Sequence, residues 1–177
     1  MKAVILSTVV ACLFLVACGG SDDDETRPTW TDPTTNLTWQ NPPGGSDISW
    51  DRLSAIWYCG ELDFGGHTDW RLPSIDELRT LVRNCPATDA GGSCNIGKDG
   101  CMAWSCCHDS CSGCASSVGT DDDCFWPEEL TGDCTLLWSR SQDWDPEPDL
   151  RGWLVNFSEG SVYSEGSHYS HIVRCVR

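Results

Sequence analysis

Basic charge is scarce in this chain. Its 177 residues carry 11 Lys and Arg against 27 Asp and Glu, a formal net charge of −16 at pH 7. That balance argues against a nucleic-acid partner and against attraction to an anionic membrane surface, since both require neutralising cations. Cationic partners, divalent ions and neutral glycans remain open, and the charge suits a protein that stays soluble outside a cell. Long apolar runs are lacking too: the stretch from Ala3 to Ala17 is too short for an ordinary membrane span. Histidine is limited to His67, His108, His168 and His171, and none stands in a Gly-x-Ser-x-Gly or His-Glu-x-x-His setting. No internal repeat is visible and no acidic stretch has EF-hand spacing. The chain is therefore expected to bind rather than to catalyse, with no cofactor.

What is present starts with Met1-Lys2, the apolar run, and Leu15-Val16-Ala17-Cys18, followed by Gly19-Gly20-Ser21 and four acids. A basic start and short apolar core have the form of a secretory signal, and a cysteine after small residues has the form of a bacterial lipobox. Residues 1–17 are expected to be a signal peptide and Cys18 the lipidated first residue of the mature chain. The plainer alternative is a secretory signal with an incidental cysteine; Cys12 leaves too little apolar run before it. Several acyl chains on Cys18 would hold the protein on a bilayer far better than one. Gly19 in place of an aspartate leans toward the outer membrane, with the side it faces left open. Residues 18–29 read as an acidic tether with no large apolar side chain before Trp30, and 30–177 as one domain.

Eleven cysteines remain beyond Cys12 and Cys18, a density that in an exported chain reads as disulfides. Nine lie between Cys85 and Cys134. Cys59 and Cys175 stand outside that segment and are expected to pair with each other. The odd count leaves one thiol free, bonded to another chain, or in an incomplete pairing. Residues 85–134, rich in Cys, Gly, Ser and Asp, read as a stapled insertion without a hydrophobic core of its own.

Around the insertion the patterning is that of an α+β domain. Leu37–Gln40 reads as a short strand. Ser49 is a candidate cap for a first helix whose buried face would be Trp50, Leu53, Ile56 and Trp57. Ser74-Ile75-Asp76-Glu77 is a capping box before a second helix with Leu78, Leu81 and Val82 inward. Thr135–Ser139, Gly152–Phe157 and a return from Val162 read as antiparallel strands around the turn Ser158–Ser161, and His171–Arg177 as a last strand.

Several of these residues match a known pattern. They are Asp32-Pro33-Thr34-Thr35-Asn36-Leu37-Thr38-Trp39-Gln40, Tyr58-Cys59 before Gly65-Gly66, and Asp69-Trp70-Arg71-Leu72-Pro73-Ser74 with Glu77-Leu78. Later come Leu137-Trp138-Ser139, Trp153–Phe157 with Gly160, and the ending Val173-Arg174-Cys175-Val176-Arg177. Together they resemble the Lcl C-terminal domain family (DUF1566) over residues 30–82 and 135–177. The resemblance implies a surface-anchored bacterial domain and a C-type-lectin-like fold of two helices and a small antiparallel sheet. It also implies a bridge from first helix to last strand, where Cys59 and Cys175 sit, and a recognition role; the family's namesake adhesin is implicated in binding sulfated glycans. The nine-cysteine segment departs from the family pattern, the namesake's collagen-like repeat is absent, and the acidic balance disfavours a sulfated polyanion. The Glu-Pro-Asn, Gln-Pro-Asp and Trp-Asn-Asp tripeptides of calcium-dependent lectins do not occur.

The remaining candidates are local. Asp69-Trp70-Arg71 is read as structural, with Trp70 in the core and Arg71 stacked on a ring or paired with an acid. Cys106-Cys107-His108-Asp109-Ser110-Cys111 is similar to part of the secreted phospholipase A2 signature, but the two residues between the cysteine pair and His-Asp are missing, so the helical register fails. Cys111 and Cys114 with Cys107 and His108 would make a Cys3His zinc site, which an oxidising compartment disfavours. Asp121, Asp122 and Asp123 offer oxygens for a bracing calcium, against the plainer reading of a solvated acidic loop. Asp143, Asp145, Glu147 and Asp149 form a second such stretch. Of ten tryptophans, Trp39, Trp50, Trp57, Trp70, Trp138 and Trp153 are assigned to the core. Trp104, Trp126 and Trp144 lie in loop-like sequence and are the candidate ligand platform, unless they plug the insertion. The expectation is an exported lipoprotein that recognises a glycan or cell-surface protein. A structural envelope protein is the main alternative and a disulfide-rich hydrolase a distant one.

Overall fold

The turn after Trp30 is built by one aspartate. The Asp32 carboxylate accepts from the Thr34 amide at 2.8 Å and the Thr35 hydroxyl at 3.0 Å, folding the chain so that β1 (Thr29–Thr31) pairs antiparallel with β2 (Thr38–Gln40). The computed structural model describes residues 29–44, 49–107, 109–114, 124–145 and 150–177. Within them the architecture is α+β, with helices α1 (Arg52–Gly60) and α2 (Ile75–Thr80) and strands β3 (Leu136–Gln142), β4 (Arg151–Asn156) and β5 (Ser161–Gly166). The last three form an antiparallel sheet in the order β3-β4-β5.

Strand β4 is buried on both faces, and its alternation separates two cores. Trp153 and Val155, with Phe157 beyond the strand, pack with Leu78, Leu81 and Val82 of the α2 segment and with Trp39. Leu154 points the other way, into a cluster with Ala55 and Cys59 of α1, Trp70, Leu72, Trp138 and Val173. The sheet therefore lies between α1 on one side and α2 with the cysteine-rich segment on the other. Gly160 makes the β4–β5 turn: its φ of +66° suits glycine, and a Cβ there would press on Cys85 and Phe125.

Helix α2 has its capping box, with Ser74 accepting from the Glu77 amide and Glu77 accepting from the Ser74 amide. Helix α1 differs from expectation. Asp51, not Ser49, caps it by accepting from the Ser54 amide at 2.9 Å. Its inward residues are Arg52, Ala55 and Cys59, while Leu53 is 63% and Trp57 65% exposed, with Ile56 exposed as well. Two bonds set this rotation. Cys59 is disulfide-bonded to Cys175, and Arg52 donates to the carbonyls of Ser139 and Arg140 beneath the helix. Gly152 makes room for that arginine, since a Cβ would lie 2.3 Å from its side chain.

The segment His171–Arg177 is not a continuous strand. His171 bridges Trp50, Ile172 bridges Leu137, Val173 bridges Gly44, and Val176 bridges both Trp39 and Arg71. Its partner changes every residue or two, so no ladder propagates. It is a clasp across pieces of the chain from both cores.

The cysteine-rich segment is held by Cys85–Cys114, Cys94–Cys111, Cys101–Cys106 and Cys124–Cys134. Its described residues form three single-turn 3₁₀ elements and no separate core; Cys85, Cys94, Ile96, Phe125 and Leu130 join the α2-side cluster. A buried guanidinium organises its start: Arg79 donates to the carbonyls of Thr88, Asp89, Cys94 and Ile96.

Candidate functional site

Trp153 of β4 anchors the site from below. Its indole nitrogen donates to the Met102 carbonyl at 2.9 Å, and its ring stacks with Trp104, centroids 6.1 Å apart and planes 10° from parallel. The Trp104 amide donates to an Asp145 carboxylate oxygen at 2.6 Å, and the Trp144 amide donates to the Met102 carbonyl at 3.1 Å. Two loops far apart in sequence are thus tied edge to edge. Trp104 remains 49% exposed and Trp144 67% exposed.

Trp104 walls a cleft of about 500 Å³ completed by Cys107, Asp109, Ser112, Ser161 and Tyr163. The volume lies in the range of small-ligand sites. Its far wall is strand β5, fixed by pairing with β4; its near wall is the 3₁₀ turn Asp109–Cys111, held by the Cys94–Cys111 bond. Cys107 is the free thiol among the described cysteines, 3.7 Å from the Val162 carbonyl. Burial, with the Asp143 carboxylate adding to it, pushes that thiol above its ordinary range, which keeps it protonated at neutral pH. Tyr163 is pushed up to about 12 by burial and by Glu165 and Glu159. Both groups feel negative charge around the cleft.

Trp126 does not share this site. It is buried, 5.4 Å from the Phe157 ring, with the Arg174 guanidinium carbon 4.7 Å from its ring centre. What it exposes lines a second cleft of about 660 Å³ with Trp30, Arg83, Asn84, Glu128 and Glu129. Arg174 donates to the carbonyls of Gln40 at 2.8 Å and Thr131 at 2.6 Å; burial lowers its pKa to about 9, so it stays charged at pH 7. Trp57, assigned to the core on sequence, is exposed; Trp50, assigned likewise, is half-buried and packs with Tyr58, on which it stacks, against the α1-side core.

Asp69, Trp70 and Arg71 hold structure together. Asp69 pairs with Arg177, Trp70 is buried and donates to the carbonyls of Phe64 and His67, and Arg71 makes a two-pronged bond to Glu77. Cys111 and Cys114 are in separate disulfides, which removes them as zinc ligands. Among the described residues no group of three or more His, Cys, Asp or Glu could hold a metal ion, and no helix is long and apolar enough to cross a membrane. Cys18, His108 and Asp121, Asp122 and Asp123 lie outside the described residues.

The model of the Lcl C-terminal domain matches residues 28–177, which takes in both cores, the clasp and the cysteine-rich segment. The chain belongs to the Lcl C-terminal domain family. No curated protein and no solved structure matches it. Within this Lcl C-terminal domain the tryptophan-walled cleft includes Ser161 and Tyr163, which the sequence reading passed over. The period of two in β5 gave no signal for them: it puts both on the Leu154 face, opposite Trp153, and they reach the cleft because it opens at the strand's edge, where Val162 lies between them.

Proposed function

We propose that this protein is a lipid-anchored, non-enzymatic recognition domain that takes a glycan ring on Trp104. The observation carrying this reading is a half-exposed tryptophan, braced from behind by a buried one, over a cleft with hydroxyl and carboxylate groups. Sugar rings present an apolar face that stacks on indole and a rim of hydroxyls that pair with such groups. The C-type-lectin-like reading of the fold is supported by two helices, antiparallel strands and a disulfide from α1 to the C-terminal segment. Binding rather than turnover is supported by the Cys107 thiol, which burial keeps protonated at neutral pH. The anchor is Cys18, in the outer membrane; Cys18→Ala should shift the protein from membrane to soluble fractions.

A glycan array with the full, oxidised chain tests the site, with calcium and then with EDTA. Saturable binding lost in Trp104→Ala, with the melting temperature unchanged, supports it. Trp126→Ala should instead lower the melting temperature, because its ring packs in the core. Loss of binding in EDTA would assign calcium a bracing role at Asp121, Asp122 and Asp123. A folded protein that binds no glycan would shift the reading to a structural envelope protein.

A further inference from the structure

We infer that the Trp104 cleft selects an amino sugar whose amine is free and positively charged, over N-acetylated or sulfated glycans. This rests on reading the cleft as the glycan site.

The charge around the cleft is one-sided. Asp109 lines it, and none of its described lining residues is Lys or Arg. The Asp145 carboxylate sits on the Trp104 amide. The Asp143 carboxylate adds to the upward push on the Cys107 thiol, and Glu159 and Glu165, the latter paired with His171, add to that on Tyr163. The nearby cation, Arg151, is already engaged with Asp143 at 3.8 Å and with the Ser164 hydroxyl at 2.9 Å. A sulfate brought to this cleft meets repulsion and finds no base to pair with.

A cation meets two attractions. Tryptophan is the best cation-binding ring, and Trp104 keeps half its surface open while Trp153 backs it. The carboxylates then favour a charged group beside the ring. A glucosamine unit brings both an apolar ring face for the indole and an ammonium for this field, with Ser112 and Ser161 in the walls for its hydroxyls. N-acetylation removes the charge and keeps the ring, so it isolates the electrostatic part.

Calorimetric titration of the full oxidised chain decides this with four probes: a glucosamine tetramer, its N-acetylated counterpart, a heparin tetrasaccharide and a lysine tetrapeptide. The free-amine tetramer should bind about tenfold tighter than the acetylated one at low salt, with the gap narrowing as salt is added. Asp109→Asn should narrow the same gap, and Trp104→Ala should remove binding; Asp109 is exposed, so its variant tests charge without threatening the fold. Trp104-dependent binding of the acetylated or heparin probe, as tight as the free amine, overturns the inference and leaves a glycan site. Binding of the peptide alone overturns the choice of a sugar. Binding of none of the four by folded protein removes the glycan reading and the inference with it.

Discussion

Buried arginines stabilise this domain through carbonyl oxygens rather than acids. Arg52, Arg79 and Arg174 are each buried, and each donates to backbone carbonyls of other segments. A guanidinium carries several donors in a fixed fork, so one side chain can satisfy loop carbonyls that no regular structure serves. Lysine cannot reproduce that spread. Arg79→Lys should therefore cost nearly as much as Arg79→Leu, about 3 kcal/mol or more in urea unfolding, since either leaves buried carbonyls unpaired. Glu77 behaves differently. Burial alone would raise its pKa, but the Arg71 bond and the Ser74 amide outweigh it and hold the carboxyl below its usual 4.5. A lowered acid stabilises the fold fully above pH 4.5 and loses that contribution as pH falls through the lowered value. Glu77→Gln should cost about 1 kcal/mol at pH 7 and flatten the loss of stability below pH 4.5, read from thermal melts across that range.

At the scale of elements, sequence patterns worked where one local rule decided the outcome. The capping box at Ser74 placed α2, and the alternation at Trp153, Val155 and Phe157 assigned one face of β4. They failed where a long-range bond outweighed the local pattern. In α1 the large apolar residues suggested the buried face, but the Cys59 bond and the Arg52 carbonyl contacts turn Ala55 inward. The helix can approach the sheet because Ala55 and Cys59 are small and Gly152 leaves room for Arg52. Ala55→Leu should overpack that contact and cost about 1–3 kcal/mol, while Trp57→Ser should stay within about 0.5 kcal/mol, measured by chemical denaturation. The candidate site was partly legible for the same reason. Trp104 and Trp144 stand in loop-like sequence, but Trp126 sits in similar sequence and is buried; only its packing on Phe157 and Arg174 separates them.

For the molecule as a whole, covalent closure supplements two modest cores. The Cys59–Cys175 bond spans a sequence separation of 116 residues, and restricting the unfolded chain over such a loop is worth roughly 4–5 kcal/mol. Replacing both cysteines by alanine should lower the denaturation free energy by about 2–5 kcal/mol while leaving the free-thiol titre of the native protein unchanged. The insertion shares the α2-side core, so it adds walls to the Trp104 cleft without needing a fold of its own.

The clasp at His171–Arg177 has a consequence for a chain synthesised from its N-terminus. Synthesis delivers Trp39, Gly44, Trp50 and Arg71 about a hundred residues or more before the residues that join them. Every earlier piece must wait, half-assembled, for one short arriving strip. The domain thereby checks its own completeness: a clipped chain has nothing to latch, and cells expressing it should show proteolysed fragments rather than a smaller folded product.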